Sequence, residues 1–563
     1  MLTRRAFHKG LTGLALAALA GARGGVAGTS AGTGAATDPA RLMLNRLTHG
    51  ATPEAMEEFR NLGPEAWLDH QLAQPADEPA LDARIRAIRL RIEYDAGQSD
   101  DGTPWEAVSE YRPVGIMYED PADLLHLLDF DQPIAFEERE RPAHEVIAAS
   151  MVRAVHARAQ LREVMTAFWH EHFSVNALKN ELTAVFFPSY DFMLRRHALG
   201  NFREMLGKVA RAPAMLAYLN NDESRASPAN ENYARELMEL HTLGAENYFD
   251  TRYRHWAEVP GARAGLARGY TEQDVHEVAR AFTGWTIGDG RETGEGTHTP
   301  RTGRFAYVEG WHDPYQKRVL GRELPANSAP MQDGETVLDM LADHPGTARF
   351  VSRKMLRRLG IEAPSPGYLD RVARVFHDER RTPDQIARVI RAIVLDAEFT
   401  ATPPAKLRRP FEFMAALYRA TGAEIAPRDD TLYWLMGRTG WTQHNVRPPT
   451  GHSDSSRHWA NTNAISGMVS LTLEAHAEWM AATASPLLRE TPAEVRNLAG
   501  LARYWAGRFA PEAPDTQDDA GLAVIGAFGL DPADSPDTDP DSTEWLNQAM
   551  VAANAFTPAF MFR

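Results

Sequence analysis

The segment from Ser227 to Gly244 carries the densest set of chemically useful side chains. It reads SPANENYARELMELHTLG. A serine N-cap, a proline after it and a glycine at the end predict one helix. On that helix Glu236 and Glu239 share a face, and His241 lies toward the predicted buried stripe. Two interpretations stay open: a buried core histidine with solvated carboxylates, or a helix that supplies these three side chains to a metal or catalytic centre.

A second segment, FWHEHF at residues 168–173, holds two more histidines. His170 and His172 are two residues apart, so on a regular helix they point about 200° apart and cannot face the same ion. The apolar spacing before them places His172 on the inward side. We therefore predict His172 and His241, on separate helices of one bundle, as ligands of a divalent metal, with His170 nearby. The glutamates of the first segment can complete the site with oxygen ligands.

A third group lies in WHDPYQK at residues 311–317. Asp313 beside His312 can orient the imidazole for acid–base catalysis. An Asp-Pro turn next to a partly buried histidine has the same spacing and needs no chemical role. Both interpretations are kept for His312 and Asp313.

The elements that must position these residues are mostly helices. The hydrophobic spacing predicts a mainly α protein, with a large multi-helix domain over residues 38–510 and a small β-hairpin near 304–320. Amphipathic helices are predicted at 143–173, 335–358, 367–378, 383–395 and 406–421. Residues 424–464 lack periodicity and form a long loop of the kind that often carries function. An acidic, Pro-rich linker at 511–543 precedes a C-terminal helical segment, 544–563, that packs back on the domain.

The N-terminus resembles an export signal. Residues 3–9 read TRRAFHK, and a short apolar run follows at 11–22. This order is typical of the twin-arginine route, so residues 1–37 are predicted as a signal peptide with a disordered lead-in. The mature protein is then expected in the periplasm or outside the cell. No later stretch is apolar enough to predict a membrane span.

The composition excludes several classes of function. The whole chain has net charge −16, and removal of residues 1–37, with their four basic and no acidic side chains, brings it to −20. That charge opposes nucleic acid and anionic lipid as partners. The chain contains no cysteine. Disulfides, thiolate metal sites, iron–sulfur clusters and a cysteine nucleophile are therefore excluded.

Several segments together resemble a bacterial exported family, domain of unknown function 1800. The matching segments are LNRLTHGATP at 44–53, WLDHQL at 67–72, FWHEHF at 168–173, the NENYARELMELHTLG run at 230–244, ARAFTGW at 279–285 and PAFMFR at 558–563. The resemblance implies a large, mainly helical exported protein and no known activity. It also implies a partner, an exported sulfatase-like protein of the domain of unknown function 1501 family. The insert from Glu246 to Ala267, which many relatives lack, is expected to reshape the mouth of a site nearby.

These observations give a first hypothesis and two alternatives. The first is a metal-dependent hydrolase acting on an envelope or extracellular polymer, with His172, His241 and His170 as metal ligands. Glu236, Glu239, His312 and Asp313 are its candidate catalytic groups. The second is a non-catalytic envelope protein that binds a partner protein or polysaccharide. A redox protein with non-covalent haem is the third.

Overall fold

The computed structural model describes residues 38–250, 252–253, 255–294, 296–478, 488, 491–510, 519–536 and 540–563. The predicted signal peptide, residues 1–37, lies outside these residues. The helices are α1 Pro39–Leu47, α2 Pro53–Leu62, α3 Pro64–Ala73, α4 Pro79–Arg86, α5 Phe136–His156, α6 Gln160–His172, α7 Glu181–His197, α8 Phe202–Arg211, α9 Pro213–Tyr218, α10 Glu231–Glu236, α11 Glu272–Ala281, α12 Gln332–Ala342, α13 Pro345–Arg358, α14 Pro366–Asp378, α15 Gln385–Val394, α16 Ala397–Ala401, α17 Pro410–Thr421, α18 Thr431–Gly437, α19 Ser456–Trp459, α20 Thr462–Glu478, α21 Leu498–Phe509, α22 Asp519–Ala527, α23 Pro540–Ala555 and α24 Pro558–Met561.

The strands are short and pair only as antiparallel two-stranded ribbons. They are β1 Arg89–Tyr94, β2 Gly97–Gln98, β3 Pro104–Trp105, β4 Val108–Pro113, β5 Trp285–Asp289, β6 Glu292–Gly294, β7 Thr297–His298, β8 Arg301–Tyr307, β9 Lys317–Val319 and β10 Arg322–Leu324. The pairs are β1 with β4, β2 with β3, β5 with β8, β6 with β7, and β9 with β10. The prediction of a mainly α protein with small β elements is confirmed.

Local capping explains where several helices begin. The Thr52 side chain accepts a hydrogen bond from the Ala55 amide, and a proline occupies the first position of α2. Thr271 and Asp274 form a reciprocal capping box at the start of α11. These side chains satisfy amide groups that a helix N-terminus leaves without partners. Both caps are visible in the sequence.

The predicted long helix over 143–173 is two helices. Helix α5 ends at His156, and α6 begins at Gln160 after a break at residues 157–159. The Gln160 side chain donates to the carbonyls of Ala154 and Ala157 across the break. Helix α5 packs against α7 and α17, and α6 packs against α7. The break lets α6 direct its C-terminal histidines into the core.

The Ser227–Gly244 segment is helical over a shorter span than predicted. Asn230, not Ser227, caps α10, and its side chain accepts from the Tyr233 amide. The α-helix then becomes a π-helical turn at Leu237–Thr242. Gly244 follows with φ +87°, where the chain leaves the helix. The predicted C-terminal glycine is therefore confirmed, while the N-terminus lies three residues later.

The β structure near 304–320 belongs to two ribbons. Phe305 pairs with Ile287 in the β5–β8 ribbon, whereas Val319 pairs with Arg322 in the β9–β10 ribbon. Apolar alternation identified the strands but not their partners, because each partner lies outside the predicted window. Helix α22 lies within the stretch predicted as a linker and packs on α21 and α23.

The C-terminal residues pack against the first helix. The Arg41 guanidinium donates to the Ala559 carbonyl, and Arg408 donates both to the Phe560 carbonyl and to the Asn45 side chain. The buried apolar residues, from Ala40 to Met561, form one contiguous core. Within the described residues, no helix combines the length and apolar character needed to cross a bilayer.

Candidate functional site

Two of the predicted metal ligands lie together in the core. His172 ends α6 and His241 lies on the π turn, with exposed fractions of 1% and 2%. Their ring centroids are 6.4 Å apart. The rings of Phe173 and Phe350 lie within 6.3 Å of the His172 ring, and Phe173 also packs edge-on against His241. We call these two side chains the histidine pair.

Hydrogen bonding defines the tautomer of His172. Its Nε2 lies 3.1 Å from the His241 carbonyl oxygen. A carbonyl only accepts, so this Nε2 carries the hydrogen. Burial, with a smaller effect of the Lys354 charge, holds the pKa of His172 well below its usual range. The ring is therefore neutral at neutral pH, and its Nδ1 carries a lone pair.

Each member of the pair has a buried ring nitrogen without a hydrogen-bond partner. These atoms are Nδ1 of His172 and Nε2 of His241. Burial lowers the pKa of His241 to about 3, so this ring is neutral as well. An unpartnered buried polar group costs about 1–3 kcal/mol. Such a group calls for a physical explanation, and a bound ion is one of the ordinary ones.

The charge of Lys354, on α13, acts on both histidines and lowers the pKa of each. Burial lowers the pKa of Lys354 itself to about 8, while the carboxylates of Asp454 and Glu171 raise it. Its Nζ lies 5.4 Å from the centre of the Phe350 ring. The preceding residue, Arg353, pairs with Glu246 at 2.7 Å. The insert predicted to modify the mouth of a site thus begins close to the histidine pair.

The predicted glutamates lie in a different environment on the same helix. Glu236 is half-buried, and burial together with the nearby charge of Glu239 raises its pKa. Burial, and to a smaller extent both carboxylates, raise the pKa of Tyr270, whose buried hydroxyl has no hydrogen-bond partner. The Glu236 charge also raises the pKa of Tyr218, which burial brings to about 12. Tyrosines, rather than the histidine pair, are therefore the titratable neighbours of these glutamates.

His170 points to a separate polar network, as its spacing from His172 requires. Its Nε2 lies 3.0 Å from Asp191, which also pairs with Arg153 at 2.7 Å. Burial raises the pKa of Asp191, but the charges of Arg153 and Arg195 outweigh it and hold the pKa well below its usual range. The FWHEHF segment thus supplies two sites on opposite faces of α6.

His312 and Asp313 lie in a well-satisfied network away from both histidine sites. Both oxygens of Asp313 accept from Arg280, at 2.8 and 3.0 Å. His312 donates from Nδ1 to the Thr283 carbonyl, and its Nε2 lies 3.4 Å from Asp333. Lys317 pairs with Asp333 at 2.7 Å. These contacts join α11, the 311–317 turn and α12.

A preformed three-ligand cluster occurs elsewhere in the described part of the chain. Only Glu231, Glu272 and His276 form a group of three or more His, Asp or Glu side chains whose ligand atoms all lie within 4.8 Å. Glu272, however, also accepts from Arg235 and Tyr248. Its charge is therefore already neutralised, and the other two side chains are largely exposed.

The structure adds residues that the sequence did not reveal. His444, in the irregular loop, packs on His170 with ring centroids 4.3 Å apart, and its Nε2 lies 2.9 Å from Ser150 Oγ. A cleft of about 410 Å³ opens beside them between α5, β1 and α18. No spacing rule joins residues so far apart in the chain. Only the unusual length of the 424–464 loop pointed toward His444.

Comparison with known proteins identifies the family. A family model described as "Protein of unknown function (DUF1800)" matches residues 42–561. The chain belongs to this family. Comparison of the DUF1800 chain with curated proteins finds no match, and comparison with solved structures finds none. The predicted family is therefore confirmed, and the function of this DUF1800 protein has to be argued from its own residues.

Proposed function

We propose that this protein is an exported hydrolase of an envelope or extracellular polymer that uses a divalent metal ion held by His172 and His241. One observation carries the proposal: two neutral, buried imidazoles from separate elements lie together, each with an unpartnered ring nitrogen. Imidazole is a common ligand of zinc, copper, nickel and iron. The export part rests on residues 3–9.

The protonation state favours a ligand role. Metal binding requires an unprotonated imidazole nitrogen, and it releases protons from ligands that are still protonated. Neither ring of the pair has to lose a charge, since both are neutral at neutral pH. The contact of His172 Nε2 with the His241 carbonyl also fixes one ring orientation, because metal-binding histidines commonly donate their other ring N–H to a carbonyl or carboxylate.

Two protein ligands leave positions for water and for substrate. His172 and His241 would hold the ion, and a bound divalent metal would supply an activated water for hydrolysis. Burial and Glu239 raise the pKa of Glu236. The titratable neighbours of this carboxylate are Tyr218 and Tyr270, so we assign it no step at the ion. His312 and Asp313 are retained in this proposal only as supports of the α11–α12 region.

The test measures metal content and hydrolysis on the same samples. Full-length protein is purified without chelators, and elemental analysis is applied to the wild type, His172→Ala, His241→Ala and a control, His344→Ala. His344 is equally buried, but its Nε2 donates to the Ala267 carbonyl and its Nδ1 accepts from the Gly346 amide. We expect a stoichiometric metal in the wild type and control that is lost from the other two.

Hydrolysis is followed as release of soluble fragments from isolated envelope polymer. We expect release by the metal-loaded wild type and by the control, and none by the two pair variants. A wild type without metal, or pair variants that keep it, would reject the metal site. Metal binding without any hydrolysis would reject the enzymatic part.

A second candidate is a binding protein, favoured by the size of the cleft. Its volume of about 410 Å³ lies in the range of small-ligand pockets. Phe411 and Tyr433 line it together with Glu137 and Asp429. The predicted partner, a sulfatase-like protein of the domain of unknown function 1501 family, rests on the family resemblance. Binding of a polymer fragment or of that partner without turnover would favour this candidate.

A further inference from the structure

We infer that Ser150 is a nucleophile activated by His444, in a second site that cleaves esters or amides by acyl transfer. Ser150 is half-buried on α5, with its Oγ 2.9 Å from His444 Nε2 and 2.9 Å from the Val146 carbonyl. A serine beside a histidine nitrogen is the basic arrangement of nucleophilic catalysis. This site is independent of the metal proposed at the histidine pair.

Neighbouring side chains define which nitrogen of His444 is the base. Trp441 Nε1 donates to Gln443 Oε1 at 2.9 Å, which leaves the amide nitrogen of Gln443 facing His444 Nε2 at 3.0 Å. An amide nitrogen only donates, so this Nε2 must be an acceptor and carries no hydrogen. The unprotonated nitrogen is therefore the one that faces Ser150. To reach it, the serine hydroxyl has to rotate from the Val146 carbonyl and replace the Gln443 amide on the single lone pair of this nitrogen.

Asp191 acts on His444 through its negative charge. It accepts from His170, whose ring packs on His444. Burial and the charges of His170, Arg195 and Arg153 hold the pKa of His444 well below its usual range, while the negative charge of Asp191 raises it. Asp191 is thus the one group among these that stabilises the imidazolium formed during attack. We assign Asp191 and His170 as positioning residues.

The backbone at His444 is held in an unusual conformation. Its φ is +55°, in the left-handed region that non-glycine residues adopt rarely. The His444 carbonyl accepts from the Ala177 amide at 2.7 Å, which fixes the loop on the helical domain. Such conformations cluster at functional sites. Here the conformation keeps the imidazole between His170 and Ser150.

The space beside the serine is small and borders a larger cleft. A cavity of about 20 Å³ is lined by Ser150, His170, Asp191 and His444, and it is large enough for one water. Phe411 and Gln443 line both this cavity and the 410 Å³ cleft. Ser150 itself does not line the cleft, so an acyl group held there would reach the serine only if the Gln443 side chain moves aside.

The reaction has two balanced steps. Ser150 Oγ bonds to the substrate carbonyl carbon as its proton moves to His444 Nε2, and the carbonyl electrons move to oxygen. Collapse of this intermediate breaks the bond to the alcohol or amine, which leaves with the proton from His444. Water then attacks the acyl group, gives a proton to His444, and releases a carboxylic acid as Oγ recovers its proton.

The test uses two serine-directed probes, a fluorophosphonate and phenylmethanesulfonyl fluoride, on the full-length protein, with peptide mass mapping. We expect covalent label on Ser150 and none on that peptide in Ser150→Ala. His444→Asn should slow labelling by about 10²-fold or more, since it removes the base. Asparagine tolerates the left-handed backbone, so the loop should keep its conformation. Gln443→Met should also slow labelling. Without the Gln443 amide, the ring hydrogen of His444 can lie on Nε2, and this nitrogen then cannot accept the serine proton.

Ser189→Ala is the matched control. Ser189 is also a half-buried helical serine, and its hydroxyl bonds the Phe186 carbonyl at 2.8 Å. This variant should label at the wild-type rate on Ser150. Absence of label on Ser150 with both probes would overturn the inference. So would equal labelling rates in the wild type and in folded His444→Asn or Gln443→Met protein, with folding checked by thermal denaturation.

Discussion

His170 and His172 lie two residues apart and serve different parts of the molecule. His170 contacts Asp191 and His444, whereas His172 lies against His241. Helical geometry alone predicts that separation. Asp191 lies 21 residues after His170, and His241 lies 69 residues after His172. His444 is farther still along the chain. Residue spacing could therefore exclude one shared ion, but it could not identify His444 or Asp191.

Lys354 provides a test of the metal proposal at the scale of one side chain. Its pKa of about 8 means that it is charged below that pH and neutral above it. A positive charge beside two ligands repels a cation, so affinity for a divalent ion should rise between about pH 7 and about pH 9. The histidines add nothing in this window, because the pKa of His241 is about 3 and that of His172 is also far below 6.5.

The Lys354→Met variant should bind the ion more tightly at neutral pH and lose most of this dependence. Competition with a chromogenic chelator at several pH values measures both effects. Lys208→Met, which removes an exposed lysine from α8, is the control. An identical pH profile in Lys354→Met and the wild type would show that the ion does not sense Lys354.

At the scale of elements, Gly244 sets the exit from the π turn. Its φ is +87°, and a Cβ placed there would lie 2.6 Å from the Phe350 ring and 2.6 Å from Glu246. Gly63 also has a positive φ, +79°, but a Cβ there would meet nothing within 4 Å. Gly244→Ala should therefore lower the free energy of unfolding by about 2–4 kcal/mol, and Gly63→Ala by about 1 kcal/mol.

Urea denaturation of the two glycine variants measures this difference. The cost of placing alanine at a positive φ is common to both variants. The additional loss of stability in Gly244→Ala therefore reports packing against Phe350. Because Phe350 also contacts His172, metal affinity should fall in Gly244→Ala alone. Equal losses of stability in the two variants would mean that the π-turn exit tolerates a side chain.

The elements show what could be predicted from the sequence. Thr52 and Thr271 identified helix starts because capping is a local interaction. The break at residues 157–159 carries no glycine or proline, so the apolar periodicity predicted one continuous helix there. The π turn has no residue signature either, since it depends on how His241 and Leu243 pack. The β1–β4 ribbon was missed although Arg89–Tyr94 alternates charged and apolar side chains, which is the period of a half-buried strand.

At the scale of the whole molecule, several histidines are buried in neutral form. Burial lowers the pKa of His49 to about 3, that of His156 to about 4 and that of His241 to about 3. In the unfolded chain a histidine titrates near 6.5. Below that pH the unfolded chain binds more protons than the folded one, so stability is full above about pH 6.5 and falls as the pH drops toward about 3.

Each such histidine contributes up to about 1.4 kcal/mol per pH unit to that fall. Urea midpoints from about pH 7.5 to about pH 4 should therefore decline steeply. His49→Leu should reduce the slope, and His126→Leu, at an exposed position, should leave it unchanged. A midpoint that is constant across this range would contradict neutral burial of these rings.

The contact between the first helix and the last residues has a consequence for synthesis. Helix α1 is held by the carbonyls of Phe399 and Thr402 through Arg46, and by Ala559 through Arg41. Residues 558–563 are translated long after α1 and also after Phe399 and Thr402. While the ribosome is still adding them, α1 lacks one side of its final packing. A chain of this design completes the packing of its first helix only after residues 558–563 have been made, so this part of the core forms late.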